Sequence, residues 1–130
     1  MDIADLDVVA AAEGGAELDL LHPAHGTSMG IKITLRGFDS PKVLAAGREA
    51  SREMMGKNGK DIEGAIDSRR LAMAQAAVVS VSGMEFEGKD IKTGKQLGQI
   101  MAKPAYEWIV DQVTQFGGER VNFFPKPSTS

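Results

Sequence analysis

Apolar and polar positions alternate from Ala16 to Leu20, with Ala16, Leu18 and Leu20 set against Glu17 and Asp19. A period of two is that of a strand with one buried face. The same alternation returns at Ile31, Ile33 and Leu35 against Lys32, Thr34 and Arg36. Between them, His22-Pro23-Ala24-His25-Gly26-Thr27 carries both a proline and a glycine, the residues that pre-set turn geometry. The pair predicts a β-hairpin. A lone hairpin is marginal in water, so its apolar face must pack against something else.

Helical spacing supplies that surface. Asp39-Ser40-Pro41 reads as a helix start, with Ser40 or Asp39 as N-cap and Pro41 at the first position, where its missing N–H costs nothing. Val43, Gly47, Ala50 and Met54 then recur at spacings of three and four, a thin stripe of mostly small residues, to about Met55. Gly56-Lys57-Asn58-Gly59 breaks the pattern. A second helix is predicted from Lys60 to Val81, with Ile62, Ile66, Met73, Ala77 and Val78 inward and Asp61, Glu63, Asp67, Arg69 and Arg70 outward. Its end is open, because Val78-Val79-Ser80-Val81 is rich in β-branched residues that favour leaving the helix before Gly83. Thr93 is placed to cap a short helix over 94–102. Pro104 opens a last one through Phe116 that buries Trp108, Ile109, Val113 and Phe116 and closes at Gly117-Gly118.

The reading is therefore α+β: an N-terminal β-hairpin followed by a small bundle of about four helices. Residues 1–15, ending in Gly14-Gly15 after Ala10-Ala11-Ala12, are expected to form a partly ordered N-terminal arm. Residues 16–124 form a single domain, and 125–130, Pro-Lys-Pro-Ser-Thr-Ser, a disordered tail.

Composition narrows the function classes. A length of 130 residues suits one domain, and 42% hydrophobic with 25% charged residues is ordinary for a folded chain. The absence of cysteine excludes disulfides, a thiol nucleophile and any Cys-ligated metal, and fits a reducing compartment. The start, Met1-Asp2-Ile3-Ala4-Asp5, is acidic where a secretory signal is basic, and no apolar run reaches membrane-spanning length. A cytoplasmic protein with no membrane partner is expected. A net charge of −3 gives no general attraction to nucleic acid, so none is expected as a partner.

Candidate chemistry is sparse. The histidines His22 and His25 lie in the turn, with Asp19 or Asp39 as conceivable further ligands; a small metal-binding module or enzyme there is a lower-ranked reading, and a DNA-binding accessory protein ranks lower still. No G-x-S-x-G elbow and no phosphate loop occurs; Gly56-Lys57-Asn58-Gly59-Lys60 lacks the spacing and the preceding strand. No catalytic, cofactor-binding or metal-binding residue is therefore assigned. The basic residues Lys89, Lys92, Lys95 and Lys103, with Lys57, Lys60, Arg69 and Arg70, are diluted by Glu85, Glu87, Asp90, Asp61, Glu63 and Asp67, and read as a solvated face. Most of the aromatic residues sit between Trp108 and Phe124. Trp108, Phe116, Arg120, Asn122, Phe123 and Phe124 are the candidate protein-binding residues, with Phe123 and Phe124 either folded back as a lid or exposed for a partner.

Two segments carry a family resemblance. His22-Pro23, Gly26, Gly30-Ile31, Gly37 and Asp39-Ser40 resemble the "HP…G…GI…G.DS" opening of small tail-assembly proteins of tailed bacteriophages, often described as tail assembly chaperones. Trp108, Gln112-Val113, Phe116, Arg120 and Asn122-Phe123 are similar to that family's ending. Together they bracket residues 16 to 124. The chain departs from the pattern at Gly83-Met84-Glu85-Phe86, where such sequences often place a tryptophan, and at Gly117-Gly118. The resemblance implies a non-enzymatic phage or prophage protein in the bacterial host cytoplasm, without cofactor, that binds the tape-measure protein and/or the major tail protein. Self-association into a homo-oligomer is left open. The alternative in the same setting is a structural virion component, such as a head-tail connector or tail-terminator subunit.

Overall fold

A computed structural model of the chain describes residues 1–57 and 62–124. After a 3-10 turn at Ile3–Leu6 come α1 (Val8–Gly14), β1 (Ala16–Leu21), β2 (Ser28–Leu35), α2 (Pro41–Lys57) and α3 (Ile62–Ala77). β3 (Val78–Phe86), β4 (Lys89–Thr93), α4 (Gly94–Met101) and α5 (Glu107–Gly118) follow, with 3-10 turns at Pro104–Tyr106 and Arg120–Phe123. Of the expected break at Gly56-Lys57-Asn58-Gly59, the first two residues still belong to α2; Asn58-Gly59, the helix start at Lys60 and the tail from Pro125 lie outside the described residues, as does the side chain of Ile62.

The strands form one antiparallel sheet in the order β1-β2-β3-β4. The expected hairpin is there, with Leu18 opposite Ile33 and Leu20 opposite Ile31. The architecture is α+β, but it is not a hairpin followed by a bundle. The chain returns to the sheet after α3, and residues 78–81, expected to end a helix, open β3. Val78 pairs with Leu35 and Val81 with Ile33, so the β-branched side chains find pleated partners and the helix stops at Ala77.

One face of the sheet is covered. Leu18, Leu20, Ile33, Leu35, Val78, Val81, Met84 and Ile91 pack with Leu97, Ile100 and Met101 of α4 and Ile109, Val110 and Val113 of α5. The opposite face presents Glu17, Asp19, Lys32, Thr34, Ser80 and Ser82, paired across the strands. α3 lies over α4 and α5, and α2 packs along α3. The small-residue stripe of α2 works as expected at Gly47, where a Cβ would stand 2.7 Å from Cγ of Met73. Ile66, expected inward, is 58% exposed. Ala77 and Met73, also expected inward, do face the core, and Ala65 and Ala74 complete an inner face of mostly small residues that lets its neighbours on both sides approach closely.

Thr93 caps α4 with a full capping box, its hydroxyl accepting from the N–H of Gln96 while Oε1 of Gln96 accepts from the N–H of Thr93. Residues 1–15 carry their own cap: Asp7 accepts from the N–H groups of Val9 and Ala10 at the start of α1. Ala12 of α1 is buried, and its carbonyl accepts from the N–H of Gly37 at 3.0 Å.

Candidate functional site

Short-range capping fixes the turn between β1 and β2. Nδ1 of His22 accepts from the N–H groups of Ala24 and His25 at 3.0 and 3.1 Å, and the two imidazoles stack with centroids 4.5 Å apart. Among the described residues, no group of three or more His, Asp or Glu side chains is disposed to hold a metal. The histidines shape the turn.

That turn meets the end of the chain. The side-chain amide of Gln112 on α5 bonds both backbone groups of Leu21: the Leu21 N–H donates to Oε1 and Nε2 donates to the Leu21 carbonyl, each at 2.9 Å. Farther along, the Phe38 N–H donates to the carbonyl of Gly117 at 2.9 Å, and the ring of Phe38 fills the space where a Gly117 side chain would stand. Asp39 takes a two-pronged ion pair from Arg120, Nε to Oδ2 at 2.8 Å and Nη2 to Oδ1 at 3.0 Å. The Arg120 hydrogen bond holds the Asp39 carboxyl below its ordinary range, and the pairing raises the Arg120 guanidinium in turn. The hydroxyl of Ser40, fully buried, donates to Glu13 of α1 at 2.5 Å.

The aromatic ending is folded into this seam. Phe123 is buried against the edge of the Phe116 ring, centroids 5.7 Å apart, and it lies close to Gly37. Phe124 is half-buried beside Val8 and Ala11 of α1. Asn122 donates through Nδ2 to the carbonyl of Phe116 at 3.0 Å. Trp108 is half-buried and packs against the core. Of the candidate binding residues, Phe123 has the least surface to offer a partner, and Arg120 is committed to Asp39. Trp108, Phe116 and Asn122 share the wall of an open groove of about 520 Å³ between α5 and the outer edge of β1. Leu18, Asp19, Leu21, His22 and Pro23 form its other side. Asp19, Asp111 and Glu119 are its charged residues, with no lysine or arginine in the lining. Asp19 accepts from the hydroxyl of Ser28 and pairs with Lys32 at 3.3 Å, contacts that keep its carboxyl below the ordinary range.

A larger depression of about 710 Å³ lies between α2, α3, β3 and α4, with Arg36, Lys42 and Lys95 on its walls. It has no aromatic lining on which a base could stack. The sequence-derived basic group is dispersed: Arg70 pairs with Asp111 and Glu107 of α5, and the ammonium of Lys103 sits 4.9 Å over the Phe86 ring. Lys57 and Lys60 lie outside the described side chains. Among the described residues no helix is long and apolar enough to cross a membrane.

Gln112 is the site residue whose part the residue pattern did not give. A glutamine at that spacing on an amphipathic helix reads as solvated, and only the fold brings it to a strand edge. No protein-family model matches the chain, and no curated protein and no solved structure is significantly similar to it.

Proposed function

We propose that this chain is a non-enzymatic phage or prophage tail-assembly protein that binds the tape-measure protein and/or the major tail protein during tail morphogenesis. The observation that supports this reading is a convergence. The two segments that resemble the family meet along one seam: His22, Pro23 and Gly26 face Trp108, Gln112, Phe116 and Asn122 across the groove, and Asp39 grips Arg120 beside it. Residues far apart in sequence thus share one surface. An open groove with half-buried aromatic residues on one wall and polar groups at the rim is a surface suited to a protein partner.

The test is capture of co-expressed tape-measure and major tail proteins by the purified chain, with Glu119→Lys as the surface control. Glu119 is exposed on the groove rim, so its replacement alters the surface and spares the core. Capture that weakens in Glu119→Lys is expected. Failure to capture either protein, together with stable ring-sized oligomers in solution, would shift the assignment to a structural virion component.

A further inference from the structure

We infer that the groove between β1 and α5 receives an extended segment of a partner chain as a fifth strand, one whose side chains alternate between apolar and basic. The inference rests on the reading of this chain as a protein-binding module and specifies how it binds.

The first argument is the state of the sheet edge. β1 and β4 are the outer strands of the meander. In β1 the backbone groups of successive residues point alternately toward β2 and away from it. Leu21 points away, because both its N–H and its carbonyl bond to Gln112. His22 points inward, its N–H donating to the carbonyl of Thr27 at 2.8 Å. The irregularity near Leu21 is an excess of residues on the β2 side, so the alternation along β1 is unbroken. Glu17 and Asp19 therefore share the outward phase of Leu21. Among the described residues, nothing outside the sheet bonds their backbone groups. Two N–H and two carbonyl groups stand ready along the rim of a groove, which is the arrangement by which an added strand gains its main-chain bonds.

The second argument is Gln112 itself. Its amide offers Leu21 one donor and one acceptor, as the peptide group of a neighbouring strand would. It thus marks the end of the available edge and sets where an incoming strand must stop.

The third argument concerns side chains. A strand laid on this edge directs alternate residues to opposite faces of the sheet. Those on the covered side enter the groove against Leu18, Trp108 and Phe116, which favours apolar groups. Those on the open side come to lie beside Glu17, exposed and without a cationic partner among the described residues, which favours lysine or arginine; Asp19 next to it already pairs with Lys32. Of the groove's own acids, Glu119 adds to the same bias, while Asp111 is taken up by Arg70. A second copy cannot use its β1 edge here without setting Glu17 and Asp19 against their own kind. Its β4 edge, with Lys89 and Lys92, is the competing occupant, and the experiment separates the two.

The probe is a synthetic peptide of about seven residues alternating valine and lysine, long enough to span the free edge. It is added to the full chain while amide exchange is followed residue by residue by NMR. We expect the Glu17 and Asp19 amides to exchange at least about tenfold more slowly when peptide is bound, the mark of newly bonded edge groups. Methylating the peptide nitrogens on one edge should abolish binding, and methylating those on the other should leave it intact. Glu17→Gln should weaken binding several-fold and Glu17→Lys further, with the fold unchanged, since Glu17 is exposed. Equal binding by both methylated peptides would overturn the inference, as would protection at Lys89–Thr93. Glu17 and Asp19 amides already protected in the free protein, in oligomers that Glu17→Lys dissociates, would assign the edge to a second copy and overturn it too. If tape-measure capture is intact in Glu17→Lys, strand addition falls while the assembly role stands. If the peptide binds as described but no tail protein is captured, the groove's mode of binding stands and the assembly role falls.

Discussion

Asp39 and Phe123 show how differently single residues can matter at one seam. Phe123→Ala removes a buried ring from between Phe116 and Gly37 and leaves a void that α1 and α5 cannot both close, so a loss of about 3 kcal/mol is expected in urea unfolding. The contribution of Asp39 is electrostatic and depends on pH. Its folded pKa lies below its unfolded one because Arg120 bonds the ionised form. The resulting stability is fully present above the ordinary carboxylate value of about 4, and it drains away as pH falls through the lowered folded value. Asp39→Asn is therefore expected to lower the thermal midpoint at neutral pH, with the gap to the parent protein closing in acid. A gap that stays constant from pH 7 to pH 3 would mean the ion pair is idle. Gly83 is set by backbone geometry: its φ is +77°, and a side chain there would run into the carbonyl of Gly30 on β2. Gly83→Ala should cost about 2 kcal/mol, measured the same way.

At the scale of elements, legibility followed regularity. The β1–β2 hairpin was readable because each strand alternates strictly over one covered and one open face. α2, α4 and α5 were readable from spacing together with Pro41, Thr93 and Pro104, although Pro104 opens a 3-10 turn and α5 itself starts at Glu107. β3 was hidden by its own bulges. Val79 is skipped in the pairing with β2, since Thr34 faces Ser80 while Leu35 faces Val78, and a second irregularity lies between Ser80 and Met84. Burial in β3 consequently falls on Val78, Val81 and Met84, every third residue, a rhythm that continues the helix before it. β4 offers a single buried residue, Ile91, too little to set a period. In α3 the many alanines left the inward face ambiguous, and the larger Ile66 pointed to the wrong one. A helix-favouring change at the junction tests this balance: Val79→Ala, at a residue 43% exposed and outside the pairing, should alter stability by less than about 1 kcal/mol. The loss of near-native β content by circular dichroism would show that the junction is more finely poised than its pairing implies.

For the whole molecule, the residues of the candidate site were visible one by one and their meeting was not. Leu21 and Gln112 are 91 positions apart, and Asp39 and Arg120 are 81 apart. Neither charge pattern nor spacing tells which distant positions a fold brings together. The same separations carry a consequence for time. The hairpin and the α2–α3 pair are built from contacts near in sequence and can form early, whereas the seam joins segments from opposite ends and must await the closure of a long loop. Contacts made after the rate-limiting step slow unfolding without speeding folding. Gln112→Ala and Phe123→Ala are accordingly expected to raise the unfolding rate in stopped-flow traces and to leave the refolding rate nearly unchanged. A chain emerging from the ribosome would then carry Leu21 unbonded at the β1 edge until α5 had been synthesised, and the last bonds to form in folding, those of Gln112 to Leu21, would be the ones that finish the groove.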